Sequence, residues 1–219
     1  MIFRRPTIQD LRNAALLTQL QCKLNNQTKP PSSLGQLEIL AQQIGLILQT
    51  ESPILQNPQL VVFAGDHGLA QHGISAYPSD VTWQMVENFL SGGAAVSVLA
   101  RQHRIALTVA DCGVRHDFKP QSGLRICKIA DGTADALTQP AMSAEQCERA
   151  MANGQDLIKT LPGNALLLGE MGIGNTTVAA ALAAALYGGI GWAGRGTGVD
   201  DEGLRRKEAA VAAGLERHK

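Results

Sequence analysis

The residues best placed to do chemistry sit in two glycine-rich segments and one short acidic-histidine segment. The first glycine segment, GEMGIGNTT (169–177), lies between an apolar run and an alanine-rich stretch. Glycines there let backbone N–H groups approach an anion, and the start of the following helix adds a favourable dipole. It lacks the Gly-Lys-Ser/Thr of a Walker loop and the G-x-G-x-x-G of a dinucleotide fold. An ordinary turn capped by Asn175 or Thr176 accounts for the spacing equally well. Glu170 adds a further constraint, because a carboxylate beside an anion site is unfavourable unless it acts as a base or as a partner for a hydroxyl.

The second segment, GRGTG (194–198), runs through Val199 into Asp200 and Asp201 and a helix with Arg205, Arg206 and Lys207. Arg195 and Lys207 are both able to meet a phosphate, although a basic residue on a helix is more often a solvated face. In GDHG (65–68), Asp66 and His67 close a buried apolar run, a position where side chains meet ligand: Asp to hold ribose hydroxyls, His to orient the carboxylate or donate to phosphate. The stretch SAYPSDVTWQ (75–84) brings Tyr77, Pro78 and Trp83 towards the same rim, a flat apolar surface suited to a planar ring; core packing is the better reading for Trp83.

These segments need a scaffold, and the apolar pattern supplies one. Helical spacing is found over residues 10–24, and a Ser33/Gln36 capping-box pattern opens a second helix that ends near Ser52 and Pro53. Residues 60–64 (LVVFA), 105–110 and 165–168 are short continuous apolar runs, the mark of strands covered on both faces. Helices are predicted from a Ser79 or Asp80 cap to Leu90, over 94–102, and from a Ser143/Gln146 capping box to Thr160. Strand, polar loop and helix thus recur three times. The alternation predicts an α/β fold: a mainly parallel, Rossmann-like sheet with helices on both faces, and its ligand site beyond the carboxyl ends of the strands. The alanine-rich stretch around Leu182 suits a helix packed close to that sheet. A small helical N-terminal appendage (1–30) precedes the α/β domain (31–219).

Composition narrows the class. The chain has 219 residues, 19 basic and 19 acidic side chains, zero formal net charge and 45 % hydrophobic residues. That apolar content excludes a disordered chain. Charge balance gives no basic stripe for nucleic acid and no polybasic membrane anchor, and no apolar run is long enough to span a bilayer. MIFRRPTIQD has no features of a secretory leader, so a cytoplasmic protein is expected. Cys22, Cys112, Cys127 and Cys147 have neither zinc-ligand nor disulfide-framework spacing and are expected as buried free thiols.

Taken in order, AGDHGLAQHGISAYPSDVTWQMVENFLSGGAAVSVLA, VADCGV, PAMSAEQ, GEMGIGNTT and GRGTGVDDEGLRRK resemble successive signatures of the nicotinate-nucleotide:5,6-dimethylbenzimidazole phosphoribosyltransferase family, and the resemblance extends from Ile8 onward. It implies transfer of phosphoribose from nicotinate mononucleotide to a benzimidazole nitrogen in cobalamin synthesis, without cofactor or metal, by a homodimer. The same resemblance assigns phosphate and ribose to Gly172, Gly174, Asn175, Thr176, Gly196 and Lys207. Asp66 and His67 fall at the inner end of that cleft, and Glu170 supports ribose or catalysis. Tyr77, Pro78, Ser79 and Gln84 correspond to the acceptor wall. It places the family's general base in a glycine-rich segment beyond Lys219, so residues 1–219 alone are expected to bind nucleotide with little or no turnover. Two other classes compete: a non-catalytic nucleotide-binding module, and a kinase or phosphatase of small metabolites, which glycine loops and GDHG alone would suggest.

Overall fold

The computed structural model describes residues 4–218, which divide into two compact units, Arg4–Gln56 and residues 57–218. The smaller unit is a pair of helices, α1 (Ala14–Asn25) and α2 (Gln36–Ile47). The unit boundary therefore falls after α2, whereas the sequence pattern separated an appendage at residue 30. The two helices explain the difference: Leu20 of α1 is buried, and a Cβ on Gly45 of α2 would stand 2.7 Å from its methyls, so each helix completes the other. Helix α1 starts at Ala14 rather than near Asp10 because the Asn13 side chain accepts the N–H of Leu16. The expected Ser33 cap of α2 does not form. Gly35 stands at that cap in the left-handed region, and Glu38 reaches back to accept the N–H of Leu34 while pairing with Lys29 at 2.8 Å.

The larger unit is built on a four-stranded parallel sheet in the order β3-β2-β1-β4, with β1 Gln59–Gly65, β2 Ala106–Gly113, β3 Leu124–Ile126 and β4 Leu166–Met171. Strand β3, three residues long, escaped the sequence pattern because so short a run has no periodicity of its own. On β1, Val62 and Ala64 pack with Val86 and Phe89 of α3 (Val81–Ser91), and with Ala94 beside α4 (Ala95–Gln102). The alternate residues Val61 and Phe63 pack with Leu157 and Ile158 of α5 (Ala144–Lys159). Helices therefore cover both faces, and this is why β1 reads as an unbroken apolar run. The capping box of α5 is formed by Ser143 and Gln146 as expected. No side-chain cap from Ser79 or Asp80 exists at α3; the first turn there is closed by the carbonyls of Pro78, Ser79 and Asp80.

After β4 come α6 (Asn175–Tyr187) and α7 (Asp201–Arg217). The small residues of α6 serve a different contact from the one predicted: Ala180 and Ala184 pack with Val211 of α7, not with the sheet. All four cysteines are free, but Cys22 and Cys147 are exposed and Cys112 and Cys127 half-buried, so the expectation of buried thiols does not hold. Among the described residues no helix is long and apolar enough to cross a membrane.

Candidate functional site

Strand order reverses at β1: the chain goes from β1 to β2 on one side and returns with β4 on the other. A crevice at the carboxyl ends of β1 and β4 follows from that switch, and open α/β sheets bind ligands there. The three polar loops meet at this point. Asp66, at the end of β1, is buried; its Oδ2 accepts the N–H of Arg115 from the loop after β2 at 2.8 Å. Gly172 follows β4 so closely that a Cβ there would stand 2.3 Å from the Gly65 carbonyl and 2.8 Å from His67 Nε2. Glycine is required at 172 by that approach.

Glu170 is the last outward-facing residue of β4, opposite Phe63 of β1. Its Oε2 accepts a hydrogen bond from the Asn175 carboxamide, and its Oε1 lies 3.7 Å from His67 Nε2. Asn175 also caps its neighbour, accepting the N–H of Thr176 through Oδ1 at 2.7 Å. The carboxylate that looked out of place beside an anion loop is thus held by the loop's own asparagine.

On the far side of this loop Lys207, on α7, is almost fully buried, and its Nζ donates to Thr176 Oγ1 at 2.8 Å. No carboxylate among the described residues pairs with it. Gly196 closes the group: it takes a positive φ, and a Cβ there would stand 2.8 Å from both Lys207 Nζ and Thr176 Oγ1. Burial pushes the Lys207 ammonium below the ordinary lysine pKa. A desolvated cation beside a helix start and two glycine loops is a place where an anion gains more than it would in water. Arg195, the other basic candidate, is occupied: it pairs with Asp201 and donates to the Val199 carbonyl.

Tyr77, Pro78 and Gln84 are exposed and Ser79 partly so. Their loop is tied to the second glycine segment, where Thr197 Oγ1 accepts the N–H of Ala76 and bonds Ser75 Oγ at 3.1 Å. Trp83 stacks on His116 with ring centroids 4.7 Å apart, which is packing, as expected for it. A cavity of about 650 Å³ opens elsewhere, between Asp66, His67 and Glu170 on one side and residues 129–150 on the other. None of the four acceptor-wall candidates lines it. Its wall includes Gly132, Thr133, Ala134 and residues 139–142, a segment with neither helix nor strand pattern, held by buried Asp135, whose carboxylate bonds His72 at 2.9 Å and Gln71 at 3.0 Å. The signal for this wall was present only as PAMSAEQ, an ordered phrase without periodicity.

Fold and site together define an α/β domain that gathers a buried cation, glycine loops and a carboxylate at a topological switch point, an arrangement suited to an anionic ligand. A phosphoribosyltransferase family model matches residues 9–219, and the chain belongs to that family. It is 58 % identical over 215 residues to the nicotinate-nucleotide–dimethylbenzimidazole phosphoribosyltransferase of Variovorax paradoxus, covering 97 % of this chain and 62 % of that protein. The Dechloromonas aromatica enzyme of the same name is 50 % identical over 94 % of this chain and 61 % of its own. A crystal structure of CobT from Thermus thermophilus superposes with a TM-score of 0.86 at 42 % identity, covering 93 % of this chain and 62 % of that one. The chain thus spans a little over three fifths of the length of these relatives.

Proposed function

We propose that this chain carries the nucleotide-binding part of a phosphoribosyltransferase that moves phosphoribose from nicotinate mononucleotide to 5,6-dimethylbenzimidazole, giving α-ribazole 5′-phosphate and nicotinate. The observation that carries the reading is the convergence of Lys207, Thr176 and Gly196, an uncompensated buried cation between two glycine loops. There the 5′-phosphate is held by Lys207, by the Thr176 hydroxyl and by the backbone N–H groups of Gly172 and Gly174. Asp66 and His67 flank the ribose, and Asn175 presents Glu170 to it. Nicotinate leaves from a pyridinium nitrogen as a neutral ring, so the leaving group needs no acid. The acceptor poses the harder problem: attack puts a positive charge and a surplus proton on the benzimidazole, which a carboxylate stabilises and removes. Tyr77, Pro78, Ser79 and Gln84 form the acceptor wall in this reading, joined to the phosphate loops through Thr197. The four free cysteines agree with a cytoplasmic protein, and the exposed leucines of β4 with a homodimer.

The test is nicotinate release with 5,6-dimethylbenzimidazole present, run on this chain and on one extended through the relatives' remaining length. Release by the extended chain, together with phosphate-dependent binding by both, supports the reading. A requirement for a nucleoside triphosphate, or an anion bound away from Gly174, Asn175 and Thr176, would refute it.

A further inference from the structure

The chain from 129 to 142 forms neither helix nor strand, so its course beside Asp66 depends on side chains that tie it down. Buried Asp135 is one tie, through His72 and Gln71. The other is the exposed side chain of Arg115, in the loop after β2. Its Nε donates to the Asp131 carbonyl at 3.0 Å and its Nη2 to the Thr133 carbonyl at 3.3 Å. The planar guanidinium thus spans two carbonyls with one rigid group, which the point charge of a lysine does not do.

The same residue also meets the site directly. The backbone N–H of Arg115 donates to Asp66 Oδ2 at 2.8 Å, while Oδ1 of that buried carboxylate has no hydrogen-bond partner among the described residues. Thr133 closes the circuit: its N–H donates to the Asp66 carbonyl at 2.9 Å, and its Oγ1 accepts the N–H of Gly68 at 3.1 Å. Gly132 lies between the two sides. It takes a positive φ, and a Cβ there would stand 3.0 Å from both Arg115 Nε and the Asp66 carbonyl oxygen. Asp111, 1 % exposed, fixes the loop that carries Arg115, because its Oδ1 accepts the N–H groups of Gly113 at 3.0 Å and Val114 at 2.8 Å.

We propose that Arg115 is a positioning residue for the transfer: its guanidinium holds residues 131–133 against Asp66 and so sets the direction in which Asp66 presents its unpartnered oxygen. The inference rests on the phosphoribosyl-transfer reading and deepens it. Arg115 touches no reacting atom and acts through Asp66 and Thr133. Its side-chain bonds lie at exposed atoms, where water replaces them at little cost, so the strap contributes little to stability. Direction is a different matter, since a displacement of about 1 Å in a group that orients substrate costs about a hundredfold in rate.

The experiment uses the chain extended to the relatives' length and measures nicotinate release with 5,6-dimethylbenzimidazole at varied nicotinate mononucleotide. Arg115→Ala is expected to lower kcat about tenfold or more and to move KM by less than about threefold, because the phosphate loops are untouched. Its melting temperature is expected to stay within about 3 °C of wild type, and its stabilisation by phosphate to persist. Thr133→Val removes the acceptor of the Gly68 N–H, and the double variant is expected to lose less than the product of the two single losses, since both act through one segment. An unchanged kcat in Arg115→Ala overturns the proposal, as do single losses that multiply. Failure to fold, or parallel loss of rate, melting temperature and phosphate response, would make Arg115 a merely structural residue and overturn it equally. A wild-type extended chain that releases no nicotinate overturns the transfer reading and this inference with it, whereas an active wild type beside an equally active Arg115→Ala overturns this inference alone.

Discussion

Lys207 brings a charge into a site where no carboxylate among the described residues answers it, an arrangement that costs stability unless an anion completes it. The sign of the pH dependence follows. With the native pKa below the unfolded value, the folded state holds fewer protons over the interval between them, so this lysine's contribution makes stability rise with pH as the interval is crossed towards about 10.5. Lys207→Met is expected to remove that rise, and to abolish the stabilisation that phosphate confers on the wild type. Urea midpoints over the alkaline range, with and without phosphate, measure both. Glu170 makes the opposite case, being half-exposed and held only by Asn175 and the nearby His67. In a chain extended to the relatives' length, Glu170→Gln is expected to lower kcat by about two orders of magnitude or more. Its melting temperature is expected to stay within about 2 °C of wild type, because a surface change of this kind stays within about 0.5 kcal/mol. Equal losses of rate and stability would make Glu170 a structural residue. Neither role was legible from residue type alone: a lysine on a helix and a glutamate beside glycines become informative only when Thr176 and Asn175 are seen to hold them.

At the scale of elements, the site depends on how closely β4 and its loop run beside β1. Gly172→Ala would force a methyl to within 2.3 Å of the Gly65 carbonyl, and backbone does not yield as a flexible side chain does. The expected cost is about 1–3 kcal/mol, read as a shift in the denaturation midpoint, with a weakened response to phosphate. Gly191→Ala, where nothing lies within 4 Å, is expected to be nearly neutral. Element types were readable from the sequence because β1, β2, β4 and α5 carry strong local patterns. Boundaries and caps were less so: Gly35 rather than Ser33 stands at the start of α2, and backbone carbonyls rather than the Asp80 side chain close the first turn of α3. Several residue types satisfy the same orphan donors, and the surrounding chain selects among them.

Across the whole molecule, apolar surface is unevenly distributed. Strand β4 is an edge of the described sheet, and Leu166, Leu167 and Leu168 on it are exposed, as are Leu182, Leu186 and Tyr187 on α6 and Trp192 beyond it. Unpaired strand edges with apolar side chains recruit other chains, and a net charge of zero supplies little repulsion to oppose that. The chain is therefore expected to self-associate as concentration rises, and Leu168→Lys, at a residue 67 % exposed, to reduce the association measured by light scattering without lowering the melting temperature. Unchanged association in Leu168→Lys would place the contact elsewhere.

What the sequence by itself determined was local: which runs are strands, which loops carry glycine, acid and histidine, and the order of motifs that the family model and relatives bear out. Those features depend on near neighbours in the chain, so apolar periodicity and turn chemistry suffice to read them. Only the tertiary structure decided what meets across long separations. Lys207 reaches Thr176 across 31 positions, Arg115 bonds Asp66 across 49, and Thr197 ties down the loop at Ser75 across 122. The cavity wall at 129–142 belongs to the same class, having no periodicity and taking its shape from Asp135, His72 and the backbone of Asp66. Such contacts are set by the parallel strand order, which brings the carboxyl ends of β1, β2 and β4 together, and no spacing along the chain encodes that meeting.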